Sequence, residues 1–195
     1  MIRRALYKLS GRLPVRIIDI DGRPYLERYY LGKALGLTFY LHRFVAADQD
    51  RHVHDHPWAW AFSLVLAGSY LEEAVRWFTP ACAWESRLVW RRWWRPNLIR
   101  GRSFHRIHQA KPETWTLFMH TRTVKGWGFL KPVEAGHAGN NRGALYAQHI
   151  ETKASRGWYL TAPNGRDSAR VPLGCPACVA PMAECGYLSE ERGEA

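Results

Sequence analysis

Residues 52–73 read HVHDHPWAWAFSLVLAGSYLEE, and this stretch decides how the chain is interpreted. Its histidines, His52, His54 and His56, occupy every second position. Alternate side chains of a β-strand lie on one face, so a strand here brings the three imidazoles together. Neutral imidazole is the commonest protein metal ligand, and clustered nitrogen donors suit iron, copper, nickel or zinc. The pattern predicts a metal site, and a purely structural histidine cluster is the alternative.

A second histidine cluster, His105-Arg106-Ile107-His108, follows about fifty residues later. Many small metal sites are built from two such clusters on separate strands of one β domain. The two clusters together therefore favour the metal site over an isolated structural histidine.

The strand pattern predicts an all-β fold. Residues 1–12 are predicted as a short basic helix, and Asp21-Gly22 is a hairpin turn signal. Strands are predicted at 15–19, 24–31, 37–45, 52–56, 60–73, 87–94, 105–109, 114–122 and 126–130. Short strands at regular spacing, joined by Gly and Pro turns, indicate a sandwich or barrel. Alternation along 60–73 predicts that the even-numbered side chains, Trp60 to Leu66, face its interior.

The chain divides into three predicted parts. Residues 1–19 are a basic N-terminal segment, 20–132 a β-barrel, and 133–195 a loop-rich extension. The extension is rich in Gly and Pro, with weak strand signals at 145–147 and 158–160. Poor order is expected from residue 163 onward unless its cysteines bind metal.

Composition indicates a folded, basic protein. The 195 residues are 47% hydrophobic and 13% aromatic, which excludes global disorder. The net charge of +11 favours acidic partners, namely nucleic acid, phosphorylated metabolites or an anionic surface, although a solvated basic face explains it equally well. Arg91, Arg92 and Arg95 are interleaved with Trp90, Trp93 and Trp94. This pattern suits base stacking but more often marks a strand with Trp packed inward.

Nothing in the sequence predicts a membrane span or a secretion signal. The N-terminal residues lack an apolar core and a cleavage site, and no apolar run approaches the roughly 18–20 residues that a bilayer requires. We therefore expect a cytoplasmic protein.

The four cysteines are candidate ligands for a second metal site. Cys175-Pro176-Ala177-Cys178 has zinc-knuckle spacing, and Cys185 lies nearby. A structural zinc site needs four ligands, for which Cys82 and His149 are the candidates that complete the set. Incidental thiols in the tail are the alternative interpretation.

The histidine stretch resembles the cupin superfamily. His54 and His56 match the histidines of the first cupin motif and Gly68 its glycine, while Gly101 and His105 match the second motif. The chain is also similar to small cupin-like proteins of phages and prophages, which share HDHPW, a Gly-x-Tyr-x-Glu strand end, a His-Arg pair and a late Trp-Gly-Phe. These features lie here at 54–58, 68–72, 105–106 and 127–129. The resemblance covers about residues 20–132 and implies a cupin-type jelly roll.

One departure from the cupin pattern bears on the ligand set. The glutamate position of the first motif falls at Trp60 or Ala61. The resemblance then implies a three-histidine site of His54, His56 and His105, similar to the three-histidine thiol dioxygenases, with His52 or Glu72 as a candidate fourth ligand. It implies a divalent transition metal as cofactor, Fe(II) above all. If the protein is phage-encoded, we expect it in the host cytoplasm.

The predicted function is a metal-dependent oxidation or isomerisation of a small anionic molecule. Arg43, Arg106 and Arg122 are the candidate anion contacts, because Arg offers two hydrogen bonds to a carboxylate or phosphate. The alternatives are a non-catalytic ligand-binding or sequestering protein and a nucleic-acid-associated basic protein. The sequence leaves open whether the chain acts as a homodimer.

Overall fold

The computed structural model describes residues 1–20, 22–46, 53–78, 84–132, 144–149 and 157–174. The helix in these ranges is α1 (Ile2–Ser10), as expected near the N-terminus. The strands are β1 (Val15–Ile20), β2 (Arg23–Ala34), β3 (Leu37–Phe44), β4 (Val53–His54), β5 (Trp60–Ala67), β6 (Tyr70–Phe78), β7 (Trp84–Arg91), β8 (Asn97–Arg100), β9 (His105–Ala110), β10 (Thr114–His120), β11 (Trp127–Pro132) and β12 (Ala144–His149). Two short 3-10 turns, Trp158–Leu160 and Gly165–Asp167, follow. No helix in these ranges is long and apolar enough to cross a membrane.

The strands form two antiparallel sheets. One has the order β1-β2-β3-β10-β5-β8 and the other β12-β11-β4-β9-β6-β7. From β3 to β10 the chain passes between the sheets at each connection except the β6–β7 hairpin, which leaves β3-β10-β5-β8 facing β4-β9-β6-β7. This strand order is the jelly-roll topology. The predicted all-β jelly roll with a short N-terminal helix is therefore confirmed.

Aromatic contacts join the two sheets at one end of the sandwich. Tyr25 of β2 packs edge-on against Phe44 of β3 at 6.0 Å between ring centroids. Phe44 in turn lies 5.8 Å from Tyr70 of β6 in the opposite sheet. Leu26 and Ala110 are buried in the same cluster. Burial of these inner faces supplies the main favourable contribution to folding.

The C-terminal residues that the structure describes pack on the first sheet. The amide of Val15 donates to the carbonyl of Pro163 at 2.9 Å, and the ring of Tyr159 stacks on Tyr30 at 3.8 Å. The segment is irregular, as expected. The expected poor order does not hold for residues 163–174, because these contacts anchor that part of the extension to the sandwich.

The strand predicted over 60–73 is in fact two strands in different sheets. In β5 the buried positions are the odd-numbered Ala61, Ser63 and Val65, whereas Trp60 is 37% exposed. The predicted inward face of even-numbered residues is therefore wrong. Pro57 lies between β4 and β5, and because these strands belong to opposite sheets the alternation is not carried from one to the other.

Gly68 allows the chain to cross from β5 to β6. Its φ is +79°, and a Cβ atom there would lie 2.4 Å from Thr114 Oγ1 and 2.9 Å from Thr114 Cα. Gly22 has a similar φ of +76° but nothing within 4 Å. We expect Gly68→Ala to lower the free energy of unfolding by roughly 1–3 kcal/mol more than Gly22→Ala, since only Gly68 adds a backbone clash to the strain of positive φ. Urea unfolding of both variants measures the difference, and equal losses would show that the corner relaxes around the methyl group.

Candidate metal centre

Three histidines converge inside the sandwich. His54 on β4 is directly opposite His105 on β9, and His56 follows two residues after the end of β4. All three side chains are buried, and one ring nitrogen from each lies within 4.8 Å of the other two. His56 Nε2 is 2.6 Å from His105 Nε2. The predicted set His54, His56 and His105 is thus brought together by two paired strands and the turn that follows one of them.

The protonation states of His56 and His105 are compatible with a bound cation. Burial, together with the neighbouring imidazoles, lowers the pKa of His56 well below its usual range, so the ring is neutral near pH 7. His105 Nδ1 contacts the Glu72 carboxylate, which places its proton on Nδ1 and leaves a lone pair on Nε2. Lone pairs on two nitrogens 2.6 Å apart repel unless a proton or a cation lies between them. Buried His56 Nδ1 also has no hydrogen-bond partner among the described residues. Buried imidazole nitrogens clustered in this way suit a divalent transition metal.

Glu72 supports His105 from behind. Its carboxylate accepts hydrogen bonds from Arg91 Nε at 2.6 Å and from Asn97 Nδ2 at 2.7 Å, besides the contact with His105 Nδ1. Burial alone raises the pKa of Glu72, but the hydrogen bond from His105 and the charge and hydrogen bond of Arg91 outweigh it and lower the pKa below its usual range. The carboxylate therefore fixes the orientation of His105 and is not placed as a fourth ligand, which corrects that expectation.

This arrangement predicts a large effect of a small change. We expect Glu72→Gln to weaken metal affinity by roughly 10–100-fold, because an amide holds the proton and ring orientation of His105 less well than a carboxylate does. Competition with a chelator of known affinity measures the change.

The control is Glu73→Gln on the next position of the same strand. Glu73 faces away from the histidines and pairs with Arg106 Nε at 2.6 Å and Ser86 Oγ at 2.7 Å. Its substitution should leave metal affinity unchanged. An equal effect of the two substitutions would mean that the loss reflects general destabilisation of β6.

Asp55 fixes the loop that carries His56. Its Oδ1 accepts a hydrogen bond from the Gly128 amide at 2.7 Å, its own amide donates to the Gly128 carbonyl at 2.8 Å, and Lys125 Nζ lies 2.5 Å from Oδ2. Trp127 beside Gly128 packs against His56 at 5.0 Å between centroids. Asp55, Trp127 and Gly128 thus hold the loop with His56 in place beside β4.

The three imidazoles open into a cavity of about 80 Å³ between the sheets. Its walls are mainly aromatic and aliphatic, with a few polar groups. The lining residues are Tyr25, Leu26, Arg28, His42, Phe44, His54, His56, Trp58, Ser63, Tyr70, Ile99, His105, Ile107, Thr116, Phe118 and Trp127. A cavity with mainly apolar walls and a few polar groups, beside a cluster of candidate ligands, is typical of a small-molecule site.

The predicted anion contacts do not line this cavity. Arg43 is fully buried elsewhere, paired with Glu27 and Glu113. Arg106 lies on the opposite face of β9 from His105 and pairs with Glu73, and Arg122 is exposed on the surface. None of these three residues lines the cavity, which corrects the expectation that they contact a ligand there. Arg28 and His42 line it instead, and the sequence analysis missed both.

Other predicted site residues fall outside the described ranges. His52, Cys82, Cys175, Cys178 and Cys185 are among them. The prediction that the tryptophans of residues 90–95 pack inward is wrong for Trp93 and Trp94. These side chains lie in a turn and are 69% and 57% exposed. Arg91 points inward instead and donates a hydrogen bond to Glu72.

Comparisons with known proteins give partial structural likeness. The chain matches no protein-family model and no curated protein. It is similar to the structure of Fe(II)-HppE with the alternative substrate (S)-1-HPP, at 13% identity and a TM-score of 0.44 over 58% of this chain and 57% of that chain. It is also similar to hydroxypropylphosphonic acid epoxidase from S. wedmorenis, at 13% identity and a TM-score of 0.42 over 58% of this chain and 56% of that chain. A third similar structure is oxalate oxidase in complex with the substrate analogue glycolate, at 21% identity and a TM-score of 0.35 over 49% of this chain and 46% of that chain. This chain thus spans little more than half the length of the epoxidase structures.

Proposed function

We propose that this protein binds one divalent transition metal through His54, His56 and His105 and uses it to oxidise or isomerise a small molecule. The observation that carries the proposal is the convergence of three buried ring nitrogens within 4.8 Å, with His105 held by an ionised carboxylate. Three neutral ligands leave the charge of a divalent ion uncompensated and leave positions open for a substrate. Fe(II) is the metal we propose, because the motif resembles that of the three-histidine dioxygenases.

The metal would supply Lewis acidity and, as iron, redox chemistry. The chain's own residues orient the ligands and exclude water. Glu72 keeps the proton of His105 on Nδ1, so that Nε2 faces the centre. Trp58 stacks on His56 at 5.0 Å and on His120 at 4.1 Å, closing one side of the cavity with an apolar surface. The cavity of about 80 Å³ admits a molecule of a few non-hydrogen atoms, so a polymer can reach the centre only by one end.

Metal analysis of protein purified without added metal tests the proposal directly. We expect about one transition metal ion per chain. The protein is then reconstituted anaerobically with Fe(II) and treated with nitric oxide, and the electron paramagnetic resonance signal of the nitrosylated iron reports open coordination positions. A protein that binds no transition metal, or whose Fe(II) does not take up nitric oxide, contradicts the proposal. Substrate turnover, as opposed to stoichiometric binding, separates an enzyme from a sequestering protein.

A structural zinc site in the C-terminal extension remains a separate proposal. It rests on the spacing of Cys175, Cys178 and Cys185. Residues 163–174 pack on the first sheet, so truncation after Gly174 removes these cysteines and keeps the docked segment. We expect this truncation to lower the zinc content by one ion per chain and to leave the histidine-bound metal in place. An unchanged zinc content would identify the cysteines as incidental thiols.

A further inference from the structure

We propose that one end of the sandwich docks onto an anionic membrane surface. The docking face consists of residues 2–4 of α1, residues 92–95 between β7 and β8, and Lys111 between β9 and β10. None of these residues lines the cavity beside the three histidines. The proposal therefore goes beyond the metal-dependent function and holds whether or not a metal is bound.

The strand register brings these segments to the same end of the sandwich. Arg91 is the partner of Tyr70 at the start of β6, so the turn after Arg91 lies next to the corner between β5 and β6. Residues 1–4 line a surface depression together with Gly68, which forms that corner. The beginning of α1 and the β7–β8 turn thus meet around one corner of the fold.

Contacts between cations and rings make the face continuous from this corner to the turn. The Lys111 amide donates to the Ser69 carbonyl at 3.0 Å, and Lys111 Nζ lies 5.9 Å from the ring centroid of Trp90. The Arg92 guanidinium lies 5.8 Å from the centroid of Trp90 and 5.4 Å from that of Trp94. These cation–π contacts hold charged and aromatic side chains together on one surface.

Large apolar side chains of the docking face are exposed to water. Trp93 is 69% exposed, Trp94 57% and Ile2 54%. Exposed apolar residues are usually scattered singly, and a group of them rimmed by polar residues marks an interaction site. Tryptophan is enriched at membrane interfaces, because its ring is apolar and its N–H donates to a headgroup or to water. The group therefore suits the boundary between lipid headgroups and acyl chains.

The charge of the docking face is positive. Its exposed cations are Arg3, Arg4, Arg92, Arg95 and Lys111. Within the part of the chain that the structure describes, none of the five forms an ion pair with a carboxylate. Glu113, which lines the depression beside residues 1–4, is buried and paired with Arg43. Anionic lipid headgroups attract basic residues that lack a counter-charge.

The geometry of the rings favours a lipid surface over a single-stranded nucleic acid. A nucleic acid stacks its successive bases on open ring faces. Here the planes of Trp93 and Trp94 meet at 82°, and Arg92 lies over the rings of Trp90 and Trp94. The aliphatic side chain of Ile2 on the same face offers a base no stacking partner, whereas it adds apolar surface that a membrane interface buries.

The test uses the full-length chain and phosphatidylcholine vesicles with and without roughly a quarter of phosphatidylglycerol. We expect the protein to sediment with the anionic vesicles at a lipid concentration at least about tenfold lower than with the neutral ones, because several basic residues approach the headgroups together. Added salt should weaken this binding. Brominated lipid should quench the tryptophan fluorescence, since the exposed rings enter the interface.

Two double variants separate the contributions of the turn. Trp93→Ser/Trp94→Ser should lose the quenching by brominated lipid. Arg92→Gln/Arg95→Gln should weaken binding to the anionic vesicles about tenfold. All four side chains are exposed, so both variants should stay folded, which thermal unfolding checks.

Arg100→Gln/Arg102→Gln is the matched control. Both arginines are exposed and line a groove that contains no residue of the docking face, so the control removes the same charge elsewhere. It should leave vesicle binding unchanged. Equal binding to neutral and anionic vesicles, or an equal loss in the control, overturns the proposal. Binding of a single-stranded oligonucleotide that depends on Trp93 and Trp94, without vesicle binding, overturns it in favour of a nucleic-acid surface. The metal content of the same samples tests the proposed metal function separately.

Discussion

The double substitution His54→Ala/His56→Ala should reduce the bound metal from about one ion per chain to a trace while the fold is retained. It removes two of three ligands, and His105 alone is far below the three or four protein ligands that hold a transition metal in most sites. The fold should persist because β4 pairs with β9 and β11 through backbone groups that alanine keeps. Elemental analysis measures the metal, and far-ultraviolet circular dichroism with thermal unfolding measures the fold.

His108→Ala is the control for this prediction. His108 lies on the same strand as His105 but is exposed, because it is three positions later and strand alternation places it on the opposite face. Its substitution should leave the metal content unchanged. Full metal occupancy in the double variant, with the fold intact, would show that the metal is held elsewhere and that the histidine cluster is structural.

The part of the site that can be predicted from the sequence is the part that depends on the spacing of residues along one strand. His54 and His56 share a face because of strand alternation, and a short motif resemblance supplied His105. Glu72 was placed near the site but with a different role. Its contact with His105 runs diagonally between β6 and β9, and whether a carboxylate binds the metal or the back of a ligand depends on distances that alternation does not give.

The remaining features depend on which strands face each other. Arg28 and His42 belong to strands far from the histidine motif in sequence, and only the packing of the two sheets brings them to the same cavity. The predicted inward orientation of Trp60 is wrong for a related reason. The chain passes to the other sheet at Pro57, so the alternation of β4 does not continue into β5. Arg43 is a predicted anion contact, but its guanidinium instead donates to the carbonyl of Val171, more than a hundred residues later in the chain, and no local pattern shows that contact.

Arg43 is the centre of a buried ion network that joins three parts of the chain. Its Nη1 lies 3.0 Å from Glu27 Oε2 and its Nε 3.0 Å from Glu113 Oε2. Nη1 also donates to the Val171 carbonyl at 2.5 Å, while the Val171 amide donates to Glu27 Oε1 at 2.7 Å. Tyr29 donates its hydroxyl proton to Glu27 Oε2 at 2.6 Å. Each buried carboxylate is thus compensated by the same guanidinium, which also fastens the C-terminal segment to β2 and β3.

We expect Arg43→Met to lower the free energy of unfolding by about 3–5 kcal/mol, because it leaves two buried carboxylates without their counter-charge. Urea unfolding measures the loss. The control is Arg166→Met, which breaks the pair with Asp167 in which both side chains are exposed, at 67% and 59%. Exposed pairs contribute roughly 0–1 kcal/mol, so this variant should unfold close to the wild type.

A further variant separates lost charge compensation from lost packing. In Arg43→Met combined with Glu27→Gln and Glu113→Gln, no unpaired charge remains in the buried network, and part of the lost stability should return. If the triple variant is as unstable as the single one, the loss comes from packing and from the broken bonds to the C-terminal segment. Hydrogen exchange at the Val171 amide distinguishes these contributions. Its protection depends on Glu27 Oε1 and should fall in Arg43→Met only if the segment detaches from the sheet.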